Sequence, residues 1–288
     1  MSFLMHRHGD TTGRISRIGD CIFLESRRKW VNGMRTVASE FPVIVVTGAN
    51  NGIGLHLASA LADMSYRVAG LDLSCANLAS VQGAHPDSVL CYPCDLTHDG
   101  DVQESVEKIL THWGQIDILV NNACLAYYRP FEERNIESIR QEFEVNYFGY
   151  IRMVYAVLPI MKAQGWGIIH NISSGISLTG FPGISGYASS KGAIEALSRT
   201  LRMELTKDNI WVTLVHPPLT NTRSSAPLGI PPASMADPAI VGHKLARYIL
   251  STKSVITPDI QTAIGLSLSR IIPGMMGHLL AKLVQLRR

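Results

Sequence analysis

The chain has 288 residues, 46% hydrophobic and 17% charged, and a formal net charge of +3. Such a chain buries a sizeable core and is not disordered. Residues 1–40 hold seven Arg/Lys and four Asp/Glu, which accounts for the +3; the remainder has 19 of each sign, a balance that argues against a nucleic-acid partner.

In chain order, residues 1–40 read as a flexible or loosely docked extension. Their apolar patch, Cys21-Ile22-Phe23-Leu24, is too short for a signal-peptide core. Asp10, Asp20, Glu25 and Glu40 are out of place in a transit peptide. From residue 41 the pattern alternates. Strands are expected at Val43–Thr47, Arg67–Leu71, Val89–Pro93, Ile116–Val120, Gly167–Ile172 and Trp211–His216. Helices are expected at Val102–His112, Ser138–Ala163, Ala188–Leu205 and Pro238–Ser251. Alternation of this kind implies an α/β fold, a doubly wound parallel sheet with helices on both faces. Ligands bind such sheets outside the carboxyl ends of the strands. The loop 223–237, "RSSAPLGIPPASMAD", lies on that edge. The expected organisation is an extension over 1–40, one Rossmann-type domain over 41–257 and a tail over 258–288.

The first turn, "TGANNGIG", places Gly48, Gly52 and Gly54 between a buried strand and a helix whose inner face is Leu55, Leu57, Ala58 and Leu61. A side-chain-poor turn at a helix N-terminus binds phosphate well. Asp72 ends the second strand, where a carboxylate accepts hydrogen bonds from an adenosine ribose and repels a 2′-phosphate. Neither Asn51 nor Leu73 is the cation that a 2′-phosphate requires. Farther on, Tyr187 and Lys191 stand four apart and share a helix face, and Ser174 ends the strand before them. An ammonium beside a tyrosine favours the phenolate; lowering the phenol's pKa by roughly 3 units takes about 4 kcal/mol.

Five cysteines, Cys21, Cys75, Cys91, Cys94 and Cys124, are few and odd in number for a disulfide scaffold. They read as thiols in a reducing compartment, with a cytoplasmic protein as the expectation. Cys91-x-x-Cys94 has no second pair or nearby histidine pair, so no metal site is expected.

Taken together, these motifs resemble the short-chain dehydrogenase/reductase family from about Pro42 to Thr222. T-G-x-x-x-G-x-G matches Thr47 to Gly54. Asp95-Leu96 matches the Asp-Leu/Val motif after the third strand, and Asn121-Asn122-Ala123 matches Asn-Asn-Ala-Gly. Asn146, Ser174, Tyr187 and Lys191 match the four catalytic positions, and Pro217 with Thr222 matches the motif after the sixth strand. Cys124 and Pro218 stand where the family has glycine. The resemblance implies hydride transfer with NAD or NADP, of which Asp72 points to NAD as the cofactor, and a homodimer or homotetramer. It implies that Tyr187 is the general acid/base, that Ser174 orients substrate, and that Asn146 holds a proton-relaying water. It also implies that Gly48, Asn51, Gly52, Ile53, Gly54, Asp72, Asp95, Leu96, Asn122, Tyr187, Lys191 and Thr222 bind the cofactor.

Ala226, Leu228, Ile230, Pro231, Pro232 and Met235 in the loop, with Tyr127, Tyr128 and Phe181, suggest a bulky apolar alcohol or ketone: a steroid, retinoid or fatty alcohol. Packing of the loop itself is the competing explanation. In the tail, Met276, Leu279, Leu280 and Leu283 form a stripe. It suits the core, a sister subunit or, with Lys282, Arg287 and Arg288, weak contact with a membrane surface over 275–288. A catalytically silent dinucleotide sensor of the same fold is the alternative function.

Overall fold

A computed structural model describes residues 41–285 and two short strands, Trp30–Val31 and Met34–Arg35, which pair antiparallel with each other. The extension expected over 1–40 otherwise lies outside the described residues, as do Arg287 and Arg288.

Seven strands form one parallel sheet: β1 Val43–Thr47, β2 Arg67–Asp72, β3 Val89–Pro93, β4 Ile118–Asn121, β5 Gly167–Ile172, β6 Ile210–Val215 and β7 Val255–Ile256. Their spatial order is β3-β2-β1-β4-β5-β6-β7. The order reverses between β1 and β4, which opens a crevice at the carboxyl ends of those strands. The helices are α1 Gly52–Asp63, α2 Leu78–Ala84, α3 Asp99–Trp113, α4 Ile136–Phe143, α5 Gly149–Gln164, α6 Ile176–Thr179, α7 Ser185–Leu205, α8 Pro238–Ala246, α9 Ile260–Ile271 and α10 Pro273–Gln285.

Strand periodicity of two builds a core on each side of the sheet. Ile44 and Val46 pack with Leu57 and Leu61 of α1 and Val241 and Leu245 of α8. Val43 and Val45 pack with Ile109 of α3 and Met153 and Val157 of α5. The helix expected over Ser138–Ala163 is instead α4 and α5 joined by a π turn, Glu144–Phe148, in which the Gly149 N–H donates to the Glu144 carbonyl. A Cβ at Gly149 would lie 3.0 Å from Leu96 Cβ, so the chain passes close to its neighbour at this point. The π turn rotates Asn146 inward.

One expectation is overturned. Cys75, in the loop after β2, and Cys91, in β3, form a disulfide with Cα atoms 5.9 Å apart. Counting cysteines could not reveal this, because β2–β3 pairing is what brings the two together. The cysteine argument for a reducing compartment therefore no longer holds. Cys94 is a buried thiol and Cys124 an exposed one.

His170, in β5, is buried with Nδ1 2.6 Å from Thr213 Oγ1 and Nε2 2.8 Å from the Ile249 carbonyl. Burial pushes its pKa down to about 4. The unfolded chain therefore binds a proton at this residue below about pH 6.5 that the folded chain refuses until about pH 4. We expect stability to fall by about 3 kcal/mol across that window from this residue. Urea unfolding of wild type and His170→Gln at pH 7 and pH 4.5 checks this: the variant should lose less on acidification, and equal losses would refute it.

Candidate active site

The glycine turn follows β1. Gly48 has φ +66°, and a Cβ on it would lie 2.7 Å from Ala123 Cα. A Cβ at Gly54 would lie 2.1 Å from the Gly48 carbonyl oxygen. Only glycine fits at either place, and Gly52 and Gly54 leave the backbone of the first turn of α1 open to approach. Asn122 secures the turn from β4: its Nδ2 donates to the Thr47 carbonyl at 2.9 Å and to the Gly48 carbonyl at 3.2 Å. Asn50 secures it from the other side. Its Oδ1 accepts from the N–H groups of Asn77 and Leu78 at the start of α2, at 2.7 and 3.1 Å. Asp72 Oδ2 accepts from the Asn50 N–H at 3.0 Å. An open helix N-terminus with a carboxylate beside it fits the pyrophosphate and ribose of a dinucleotide.

This turn opens into a cleft of about 1380 Å³. Its walls include Gly48, Asn51, Gly52, Ile53, Asp72, Asn122, Ser174, Tyr187, Lys191 and Thr222, which the geometry thus brings together. Gly54, Asp95, Leu96 and Asn146 are not in the wall. Leu96 is a core residue. Asp95 Oδ1 accepts from the Thr97 N–H and hydroxyl at 2.9 and 2.8 Å. Although burial opposes ionisation, those hydrogen bonds hold its carboxyl below the usual range.

Lys191 is almost wholly buried beneath Tyr187. Its Nζ donates to the Ile172 carbonyl at 2.8 Å and to Tyr150 Oη at 3.1 Å, and lies 5.8 Å from the centre of the Tyr187 ring. An ammonium has three donors, so one remains. Burial pushes its pKa down to about 8, against a partly opposing pull from Cys124. Burial raises the Tyr187 phenol, Cys124 adds to this, and a hydrogen bond with Ser174 opposes it.

The side chain of Asn146 is buried and holds its surroundings together. Its Nδ2 donates to the Leu125 carbonyl at 2.8 Å and to Ser190 Oγ at 3.0 Å, and its Oδ1 accepts from the Leu125 N–H at 2.7 Å. Both amide hydrogens are committed. Ser190 Oγ donates in turn to the Tyr187 carbonyl at 2.8 Å. Asn146 therefore clamps the loop carrying Cys124 to the helix carrying Tyr187.

Several residues of the site were not singled out from the sequence. Glu195 lies one helical turn beyond Lys191, and its Oε1 accepts from the hydroxyls of Ser173 and Ser177. The buried His216 places Nε2 3.3 Å from the same oxygen. This cluster braces the strand end that carries Ser174. The spacing of four from Lys191 was the available signal; His216 gave none. Cys124 lines the cleft, as do Tyr128, Phe181, Leu228, Ile230 and Met235. Tyr127 does not: its N–H is held by Glu142 at 2.8 Å and its hydroxyl by Gln141 at 2.9 Å.

The family model described as short chain dehydrogenase matches residues 42–230. The chain belongs to that family. A Bacillus subtilis relative, "Uncharacterized oxidoreductase YusZ", is 37% identical over 179 residues, covering 61% of this chain and 64% of that protein. The chain thus spans less than two thirds of that relative's length. The 2-(R)-hydroxypropyl-CoM dehydrogenase of Xanthobacter autotrophicus is 35% identical over 187 residues, 62% of this chain and 75% of its own. Among solved structures, a short-chain dehydrogenase from Streptomyces avermitilis superposes with a TM-score of 0.72 at 26% identity, covering 87% of this chain and 96% of its own. A 3-ketoacyl-(acyl-carrier-protein) reductase from Brucella melitensis, complexed with NADH, gives 0.67 at 26% identity, covering 75% and 94%. This short-chain dehydrogenase thus has the doubly wound sheet of its family.

Proposed function

We propose that the protein is an NAD-dependent oxidoreductase that interconverts a hydrophobic secondary alcohol and its ketone. The observation that carries this reading is the stack of Ser174, Tyr187 and Lys191 in one cleft with the glycine turn. Gly48, Asn51, Gly52, Ile53, Asp72, Asn122, Lys191 and Thr222 would hold the dinucleotide, and NADH in the Brucella melitensis neighbour supports that choice. When bound, the nicotinamide supplies the hydride donor or acceptor. Tyr187 takes the hydroxyl proton in oxidation and returns it to the carbonyl oxygen in reduction. Ser174 hydrogen-bonds the same substrate oxygen. Lys191, positively charged below about pH 8, favours the phenolate from beneath the ring. Apolar groups from Phe181, Leu228, Ile230 and Met235 suit a bulky apolar substrate.

Asp72 underlies the choice of NAD. Leu73 beside it is exposed, and Arg67, at the far end of β2, stacks on Phe41 at 5.4 Å. A 2′-phosphate about 4 Å from the carboxylate costs about 4 kcal/mol at an effective dielectric of 20, and solvent at the cleft edge reduces that. We expect NAD to be preferred over NADP by roughly tenfold to a few hundredfold in kcat/KM. Asp72→Ala with Leu73→Arg should shift use toward NADP. Equal use of both by the wild type would show that Asp72 does not face the ribose.

The reading includes a homodimer or homotetramer. Phe148 at the end of the π turn, Tyr155 on α5 and Met203 on α7 are exposed apolar side chains, and α4 and α5 also carry charges of both signs, among them Glu137, Arg140 and Arg152. That mixture suits a second copy of the chain.

A further inference from the structure

From Ile260 to the end of the sequence there is no acidic residue, while Arg270, Lys282, Arg287 and Arg288 are basic. The described part of this segment is the helix pair α9 and α10. Gly277 lets α10 approach α6 closely, since a Cβ there would lie 2.6 Å from the Thr179 carbonyl oxygen. The inner faces are therefore accounted for: Leu266 is buried, and Gly265, Ser269 and Met276 line the cleft. The outer faces remain. Ile260, Ile264, Leu268 and Ile271 follow at spacings of four, four and three along α9, and Met275 and Leu279 at a spacing of four along α10. All six are between 42% and 78% exposed. Lys282 falls on the same face of α10 as Met275 and Leu279, and Arg270 is exposed at the end of α9.

We propose that this outer face of α9–α10 docks on an anionic lipid bilayer, lying in the headgroup layer without crossing it. Among the described residues no helix is long and apolar enough to cross a membrane. An exposed apolar stripe that carries cations, with Asp259 at the cap of α9 as its one neighbouring acid and that carboxylate engaged by the Thr262 N–H at 2.8 Å, has the two components of interfacial binding, burial of apolar area and attraction to anionic headgroups. A second copy fits less well. A two-fold contact would set cations against cations, with only the capping Asp259, already bound to the Thr262 N–H, to answer them. Helices α4 and α5, with both signs of charge, have no such conflict. Ile260 belongs both to the stripe and to the cleft wall, so the cleft opens beside the docked face. If the proposed apolar substrate is correct, it would enter there from the lipid; the docking itself does not rest on that reading.

The test is co-sedimentation of the full chain with vesicles of phosphatidylcholine alone and of phosphatidylcholine with phosphatidylserine. Binding is expected to the anionic vesicles only, and to weaken as salt is raised. Ile264→Gln/Leu268→Gln/Met275→Gln, none of them in the cleft wall, should reduce binding by about tenfold or more. Arg270→Gln/Lys282→Gln should reduce the preference for anionic lipid. Sedimentation velocity without lipid should give the same mass for wild type and the triple variant. The proposal is overturned if wild type ignores anionic vesicles. It is equally overturned if the triple variant binds them as wild type does, which would place the contact elsewhere, or if that variant loses an oligomer, which would give the face to a second copy.

Discussion

Tyr187→Phe is expected to cut turnover by about a thousandfold or more while the protein still folds and binds NAD. Phenylalanine keeps the ring, and with it the contact above Lys191 Nζ at 5.8 Å. It removes only the group that exchanges a proton with the substrate oxygen. Lys191 and Ser174 remain, but neither replaces the phenol: the ammonium lies beneath the ring with two donors committed to Ile172 and Tyr150. The check is kcat with an accepted alcohol, beside a calorimetric titration with NAD. Undiminished turnover in the folded variant would remove Tyr187 from the chemistry.

A second large effect is expected from a residue outside the cleft. The Arg134–Glu142 pair is buried on both sides. It lies directly under Gly186, where a Cβ would fall 1.9 Å from Glu142 Oε2. Glu142→Ala leaves a buried guanidinium without its carboxylate and the Tyr127 N–H without its acceptor. Breaking such a pair from one side costs about 3–5 kcal/mol. Because Gly186 precedes Tyr187, kcat should fall as well. Replacing both partners, Arg134→Met with Glu142→Leu, should recover part of the stability, since no charge is then stranded. Urea unfolding of wild type and the two variants checks the series. A single variant as stable as wild type would mean that the pair is solvated.

The parts legible in the sequence were those whose physical requirement is local. A turn that excludes every Cβ shows itself as glycines within a few residues, and a tyrosine one helical turn from a lysine shows a shared face. The family motifs carried both further. What depended on neighbours distant along the chain was not legible. Cys75 and Cys91 meet only because β2 pairs with β3. Asn146 commits its amide to Leu125 and Ser190 because a π turn interrupts what reads as one long helix. His216 and Glu195 are far apart in sequence and join only where β6 ends against α7. Of Tyr127 and Tyr128, adjacent and alike in the sequence, only the second lines the cleft. In the tail, the expected stripe included Met276, which instead lines the cleft, while Met275 and Leu279 face outward.

The central claim is hydride transfer with Tyr187 moving the proton. The most direct measurement mixes the purified protein with NAD and a panel of hydrophobic secondary alcohols and follows the absorbance of reduced nicotinamide. The account predicts a rise with at least one of these alcohols in wild type and none in Tyr187→Phe, with calorimetry showing NAD bound to both. NAD binding without a rise for any alcohol, and without loss of reduced nicotinamide when the matching ketones are offered with NADH, would contradict it and favour a silent dinucleotide sensor.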